Sequence, residues 1–289
     1  MELSGWDIGA VAAKVLVYAG TLGASGAVFY LAYAGGLLTG AQRAAVRRIV
    51  AIQLIVAALF TLLRILLLTG SMSDSFAGMF DRDMARMLLE AGEGTAASVR
   101  LVGLALAGCA LSLNRRLLIP ALAGAVIAAS SFTWVGHVRA LHPLLPATLF
   151  SCLHLTGVAF WVGALLPLLW STRESALEVG ALAKRFGTVA VAAVATLVIA
   201  GLSMLWMLSH GQPEFWSSGY GTMIAAKLLL VSLLLGAAAL NKLWLTPRLL
   251  NDEARAVVLL RRSIQFELLT AVLILIVTAG FTSLTGPPR

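Results

Sequence analysis

The chain has 289 residues, of which 60% are hydrophobic and 12% are charged, and its formal net charge is +8. Soluble domains carry about twice this share of charged residues, so the composition excludes an ordinary soluble globular protein. The apolar residues fall in runs of about 20 or more, which is the length that crosses the hydrocarbon core of a bilayer. We therefore predict an all-α polytopic membrane protein whose single integral-membrane domain covers residues 1–289.

Eight hydrophobic runs predict eight transmembrane helices embedded in a lipid bilayer. In chain order they cover residues 8–38, 46–69, 95–113, 117–136, 146–170, 187–209, 221–245 and 264–284. The one long connection joins the second and third runs over residues 71–94. Within it, residues 84–90 are expected to form a short amphipathic helix on the membrane surface.

The distribution of Lys and Arg predicts the orientation of these helices. The connections after the first, third, fifth and seventh runs, with their flanks, hold 13 basic residues, whereas the three intervening connections hold 3. Because basic loops stay on the cytoplasmic side, both termini should face outside. The positive net charge is therefore a topogenic signal. No nucleic-acid partner is expected, because the basic residues do not form a patch interleaved with aromatic residues.

The four histidines of the chain all fall on the predicted outer side. Three of them, His137, His142 and His154, lie around one turn between the fourth and fifth runs, and His210 closes the sixth run. His154 should lie about two turns into the fifth helix from its outer end. An ionisable side chain inside a span is costly and is usually functional, so His154 is the strongest single candidate.

Methionines add soft ligands to this outer layer. Met204 and Met207 precede His210 at spacings of three residues, which places all three along one side of the sixth helix. Imidazole nitrogen and thioether sulfur are ligands that suit copper, and thioether favours Cu(I). The predicted metal ligands are His137, His154, His142, His210, Met204 and Met207.

Simpler interpretations of the same residues stay open at this point. A histidine beside a loop, such as His142 or His210, is often solvated or caps a helix end. Methionine in a membrane helix commonly fills gaps in packing, which would account for Met204 and Met207 without a metal.

Ionisable residues other than histidine also occur inside the spans. Four basic residues lie within about two turns of the outer boundary: Lys14, Arg64, Arg100 and Lys227. Their long side chains can extend to outer headgroups, or they can form a cationic layer around a site and pair with outer carboxylates such as Glu93. Glu267 is the only acidic residue inside a span, about one turn from its predicted inner end, and an arginine of an inner loop is its expected partner.

The sequence lacks the motifs of several enzyme classes. It contains no P-loop signature, no Cys-Pro-Cys span motif, no HExxH and no GxSxG, so we expect no enzymatic activity. The two cysteines, Cys109 and Cys152, should lie at opposite depths of the membrane. A disulfide between them is therefore not expected.

Four segments resemble the CopD family of copper-resistance membrane proteins. The family has a Gly-His pair, which is similar to "WVGH" at 134–137. It also has a Leu-His-Leu segment that leads into a Trp-hydrophobic-Gly stretch, which is similar to "LHLTGVAFWVGALLPLL" at 153–169. The segments at 219–249 and 260–280 are similar to its Tyr-Gly…Lys…Asn…Pro-Arg-Leu and Leu-Arg-Arg-Ser…Glu-Leu stretches. The resemblance indicates a CopD-like core over about residues 117–289.

This resemblance implies an eight-span, multi-pass protein of the bacterial inner membrane that acts in copper homeostasis. It implies copper as the bound ion and a periplasmic copper carrier of the CopC type as the partner. In an inner membrane, the outside predicted from the basic loops is the periplasm, so both termini should lie on the periplasmic side. The thioether ligands favour Cu(I). The positions that carry over are His137 and His154, with Trp161 and Lys227 as motif residues.

The leading hypothesis is a copper site at the outer face that accepts copper from the periplasm and passes it toward the cytoplasm. Inward of this layer the only soft ligand is Cys109. One alternative is a b-type haem or quinone-linked redox protein, since histidines on adjacent spans can ligate haem iron. Another is a copper-sensing membrane scaffold that displays the metal to a partner.

Overall fold

The computed structural model describes residues 5–136, 141 and 143–284 of the chain. Over these residues the protein is built from helices and turns, without a β-strand. Eight helical segments are long and apolar enough to cross a membrane. The prediction of an all-α polytopic membrane protein is therefore confirmed.

The helices follow one another in an up-and-down order. In chain order they are α1 (Gly5–Ala34), α2 (Gly40–Ser73), α3 (Arg82–Glu90), α4 (Gly92–Ala107), α5 (Leu118–Ser130), α6 (Leu144–Ser171), α7 (Ala176–Ser209), α8 (Gly219–Leu240), α9 (Thr246–Leu250) and α10 (Ala254–Leu284). A π-helical turn, Asn241–Leu245, joins α8 and α9 into one span. The short helix expected over residues 84–90 is confirmed as α3.

The bundle has two ends, which we name for use below. The basic end carries four connections, which lie after α1, before α5, after α6 and after α9. In or beside these connections are Arg43, Arg115, Arg173 and Arg248. The N-terminal end carries the start of α1 and the end of α10, which meet where the Lys14 ammonium donates to the Thr282 carbonyl at 3.3 Å. The described chain thus begins and ends at the same end of the bundle.

Two helices begin well before the predicted boundaries. α7 begins at Ala176 and α10 at Ala254, about ten residues earlier than expected in each case. Their first turns contain Lys and Arg, which lower the local hydropathy without opposing a helix. For α7 the start is fixed by a capping box in which the Ser175 side chain and Glu178 satisfy each other's backbone N–H groups.

Small residues set the closest helix contacts. α1 is the central helix, and it meets α6 where Gly26 lies against the Ala159 carbonyl and Gly163. A side chain at Gly26 would overlap this backbone, so only glycine permits the approach. Gly103 of α4 lies equally close to Ala128 of α5. Without a hydrophobic driving force between helices in lipid, such close backbone packing supplies much of the association energy.

α8 lies at the periphery and differs from the central helices. Its main neighbour is α10, and its buried residues are confined to Tyr220, Gly221 and Ile224 in the first two turns. The rest of α8 exposes leucine and alanine side chains, as expected for a surface that faces lipid. The core therefore lies around α1, with α8 on its rim.

Candidate metal centre

The structure describes four of the six predicted metal ligands. His154 lies on α6, Met204 and Met207 lie on α7, and His210 follows α7. His137 and His142 lie outside the described residues.

His154 lies deep within the bundle. It is ten residues beyond the first residue of α6, which corresponds to about 15 Å along the helix axis. This is nearly three helical turns from the N-terminal end, somewhat deeper than the two turns expected. The side chain is only partly exposed, so the imidazole sits at a depth where hydrocarbon would surround an unshielded polar group.

The backbone of α7 receives the His154 ring. A Cβ atom placed on Gly201 would lie 3.5 Å from the imidazole Nδ1, so the absence of a side chain there makes room for the ring. The ring also lies near the backbone of Leu197, one turn away on α7. Nδ1 is buried and has no hydrogen-bond partner among the residues that the structure describes. A ring nitrogen of His154 is therefore available to a further partner.

This arrangement fits the chemistry of a metal ligand. Metal-binding histidines usually donate their second ring N–H to a carbonyl or carboxylate, which fixes the tautomer and orients the ring. The Leu197 backbone is the neighbouring group that can take this part for His154. Nδ1, which no described residue hydrogen-bonds, is the ring atom that an incoming metal ion would bind.

The register between α6 and α7 places Met204 within one turn of the level of His154. The two helices run antiparallel, with Gly157 against Leu197 and His154 against Gly201. Met204 lies on the same face of α7, one turn or about 4.5 Å nearer the N-terminal end. An imidazole nitrogen and a thioether therefore occupy adjacent levels of one helix seam.

The other described candidates lie farther out. Met207 is rotated by about 120° from Gly201 around the α7 axis, whereas Met204 is rotated by about 60°. His210 is an exposed, left-handed C-cap with φ 49°, and it follows Gly201 by nine residues, or about 13 Å along the axis. Helix geometry thus places Met204 closer to the level of His154 than Met207 and His210, which lie toward the N-terminal end.

Lys227 of α8 completes the charge environment of His154. Its ammonium is close enough to interact electrostatically with the imidazole, and its side chain is partly buried. A protonated ammonium has no lone pair, so Lys227 contributes charge to the site rather than coordination. Of the four basic residues expected to form one cationic layer, Lys227 is the one that interacts with His154.

The remaining three basic residues form a separate cluster between α1, α2, α4 and α5. The Arg64 guanidinium pairs with Glu93 at 2.8 Å and donates to the Ala10 carbonyl at 3.2 Å. Arg100 donates to the Ser131 hydroxyl and lies 4.3 Å from the centre of the Phe132 ring.

With Lys14, all three cations of this cluster are buried within the protein, so they do not extend to lipid headgroups. The expected pairing of this layer with Glu93 is confirmed for Arg64.

The predicted partner of Glu267 is wrong. Glu267 accepts hydrogen bonds from the Trp161 indole at 3.3 Å and from the Asn241 amide at 2.6 Å. Because α10 begins at Ala254, Glu267 is 13 residues into the helix, and the arginines of the first turns lie too far toward the basic end to reach it. Arg261 instead bonds Thr172.

The cysteines and carboxylates add no further metal cluster. Cys109 and Cys152 are free, which confirms that they form no disulfide. Within residues 5–136, 141 and 143–284, no three His, Cys, Asp or Glu side chains are grouped so that they could hold a metal ion. A metal bound at His154 would therefore draw its other ligands from methionine or from the histidines of the 137–142 connection.

Comparison with protein families identifies the chain. A family model described as "Copper resistance protein D" matches residues 180–281, and one described as "Copper resistance protein D-like, N-terminal domain" matches residues 5–147. The chain belongs to the CopD family. This confirms the family resemblance seen in the sequence. The N-terminal-domain model also matches the helices before residue 134, a region that contains none of the quoted motifs. No curated protein and no solved structure matches the chain.

Sequence reasoning missed the groups of this CopD protein that act through contacts between helices. Leu197 and Gly201 are ordinary residues of an apolar helix, and no local signal marks them as neighbours of His154. Asn241 carries one indirect signal, because Pro247 follows it within two turns and interrupts regular helix hydrogen bonding. Its contact with Glu267 depends on how α8 packs against α10.

Proposed function

We propose that this CopD-family protein binds a copper ion at His154 within the membrane and passes it from the N-terminal end toward the basic end. The observation that carries the proposal is the buried His154 Nδ1, which no described residue hydrogen-bonds and which lies on a ring seated against Gly201 of α7. Met204 supplies the neighbouring thioether, a ligand type that favours Cu(I). The family match supports copper as the ion.

The outer candidates take a second role in this proposal. His210 is exposed beyond the end of α7, and Met207 lies between it and Met204. We assign them, with His137 and His142, to the capture of copper at the mouth of the path. A periplasmic carrier of the CopC type would deliver the ion there, in accord with the resemblance.

Orientation and driving force follow from the charge asymmetry. The positive-inside rule places the basic end in the cytoplasm and the N-terminal end in the periplasm of a bacterial inner membrane. A membrane potential that is negative inside favours inward movement of a cation by about 2.3 kcal/mol per charge for each 100 mV. Transport by this route requires no ATP hydrolysis and no catalytic step, so the proposal assigns no enzymatic activity.

Metal analysis of purified variants tests the site. The full-length protein is loaded with Cu(I) under anaerobic, reducing conditions, and the bound copper is titrated against a competing chelator. His154→Ala should lower copper affinity at least about 100-fold, because even second-shell partners of metal ligands contribute 10–100-fold. His210→Ala is the matched control, and it should retain the affinity of the deep site.

Equal affinities of the wild-type and His154→Ala proteins would overturn the site. A Soret absorption band in the purified protein that vanishes in His154→Ala would instead support the haem alternative.

A further inference from the structure

The second polar centre of the bundle is the carboxyl group of Glu267. It is 2% exposed and lies near the middle of α10. Its hydrogen-bond donors are two neutral groups, the Trp161 indole and the Asn241 amide. Among the described residues no Lys, Arg or His forms an ion pair with it. An acid at this depth without a cationic partner marks a site of proton or ion movement.

A local irregularity positions Asn241 for this contact. Asn241 begins the π-helical turn between α8 and α9, and its carbonyl accepts a hydrogen bond from the Thr246 hydroxyl at 2.8 Å. Pro247 lacks the N–H that a regular helix would use here. Single π-turns inside helices are uncommon and often occur at functional sites. The irregular turn thus begins at the residue that bonds Glu267.

The amide of Asn241 can satisfy both protonation states of the acid. Its Nδ2 donates to a carboxylate, as the 2.6 Å contact shows. Its Oδ1 is buried and has no hydrogen-bond partner within the described part of the chain. A half-turn of the amide would present Oδ1 as acceptor to the O–H of a protonated Glu267. The pair thus remains hydrogen-bonded whether Glu267 is charged or neutral.

The surroundings leave this charge to be balanced by a mobile ion. The titratable groups on the elements packed against α10, and on α10 itself besides Glu267, are Asp7, Lys14, Tyr18, Tyr30, Tyr33, Cys152, His154, Glu178, Lys184, Arg185, Tyr220, Lys227, Lys242, Arg248, Arg255, Arg261 and Arg262. Several of these cations are engaged elsewhere: Lys242 donates to the Gly187 carbonyl and Arg185 to the Tyr33 carbonyl. A proton or a passing metal cation is then the charge that can neutralise Glu267.

A groove lies beside this centre, between α8 and α10. It has a volume of about 570 Å³. Its wall includes Leu240 and Phe266, the sequence neighbours of Asn241 and Glu267, and of its polar members Ser263 and Arg262 lie toward the basic end.

We infer that Glu267 and Asn241 form a cation–proton exchange site in the half of the bundle toward the basic end. Glu267 holds a proton while no metal is present. A Cu(I) ion that reaches this level takes the place of that proton: the O–H bond breaks, the proton passes to water at the basic end, and the carboxylate balances the metal charge. When the ion leaves, a proton from the same water restores the acid. The exchange step rests on the proposed function, whereas the proton site itself does not.

The proton site is tested without copper. Infrared difference spectra of the full-length protein, recorded as the pH is raised, should show a carboxylic-acid C=O band that is lost as Glu267 ionises. Glu267→Gln should lack this band, and Asn241→Leu should shift it, because the amide partner is gone. Glu90→Gln alters a carboxyl group on the exposed helix α3 and is the matched control. A band set identical in the wild-type and Glu267→Gln proteins would overturn the site.

The exchange step is tested by counting protons released on Cu(I) binding. The measurement is made below the pH at which the infrared band is lost, so that Glu267 carries its proton, and protons released by imidazoles are common to both proteins and cancel in the comparison. The wild-type protein should release about one proton more per copper than Glu267→Gln, since metal ligation displaces protons from its ligands. Equal release by both proteins, each with copper bound, would overturn the exchange. Failure of the wild-type protein to bind copper would overturn the proposed function instead, and the infrared result would still decide the proton site.

Discussion

The buried charged and imidazole groups before and after residue 137 have different partners. In the first part, Arg64 is paired with Glu93 and Arg100 is held by Ser131 and Phe132. In the second part, His154 and the Asn241–Glu267 pair each leave a buried polar atom without a partner in the described residues. Unpartnered hydroxyls also occur in the first part, on Tyr30 and Tyr33 among others. Neither burial of charge nor a missing partner alone therefore marks a functional site, and the better sign is an unpartnered atom of a metal-ligand type such as the imidazole nitrogen.

Packing differs between the same two parts. α1 makes glycine contacts with α6, and α4 makes them with α5, so these helices meet at their backbones. α8 has an exposed surface over most of its length. The helices of the first part, together with α6, form a frame that is held by close backbone packing. α8, in the second part, has few buried residues and so the fewest packing constraints.

The largest expected effect tests the difference in packing. Gly26→Ala would place a methyl group on the Ala159 carbonyl of α6, and such overpacking should destabilise the protein by about 3 kcal/mol or more. Gly236→Ala on α8 is the matched control, because nothing lies within 4 Å of its Cβ position.

The control should leave stability unchanged or raise it by up to about 1 kcal/mol, the helix-propensity gain of alanine. The measurement is unfolding in mixed micelles, and equal losses in the two variants would contradict the contrast in packing.

The next effect tests the pairing of buried charge. Glu93→Ala leaves the Arg64 guanidinium buried without its carboxylate. The free energy of unfolding should fall by about 2 kcal/mol, the low end for a broken buried pair, because the Glu93 side chain is 31% exposed. The Arg86–Glu90 pair has the same 2.8 Å distance but lies on the surface.

Glu90→Ala should therefore cost about 0.5 kcal/mol or less. Copper affinity per folded molecule should not change in either variant. A loss of copper binding in Glu93→Ala with normal stability would assign a functional role to the cluster of Lys14, Arg64 and Arg100.

The smallest effect distinguishes the two methionines of α7. Met204→Leu keeps the side-chain volume and removes the thioether beside His154, so Cu(I) affinity should fall about tenfold, or about 1.4 kcal/mol. Met207→Leu changes a residue on a different face and should alter equilibrium affinity less than about twofold. Chelator competition measures both. Equal losses would place both sulfurs in one site and contradict the register of α6 against α7.

The sequence predicted the spans well because hydropathy responds to the solvent that each helix meets. It misjudged the first residues of α7 and α10, since Lys184, Arg185 and the arginines of α10 are charged and yet helical. The error at α10 had a consequence for the site. It placed Glu267 near a loop and suggested an arginine partner, whereas the longer helix buries it beside Trp161.

The site was predictable only as far as single residues carry a signal. His154 was found because an imidazole inside an apolar run is costly. Its neighbours on α7 could not be found, because Leu197 and Gly201 gain their roles from the register of two helices. The three cations of α1, α2 and α4 were found as a layer, but their separation from His154 depends on helix positions that composition does not specify.

The peripheral position of α8 has a consequence for how the two polar centres communicate. α8 carries Lys227, which interacts with His154. Asn241, the residue that follows the end of α8, bonds Glu267. α6 contributes to both centres as well, through His154 itself and through Trp161, which bonds Glu267. Its glycine contacts hold α6 against α1. Any tilt of α8 relative to this frame alters both centres together. Occupancy of one centre would then change the affinity of the other, and by thermodynamic linkage the influence would be equal in both directions.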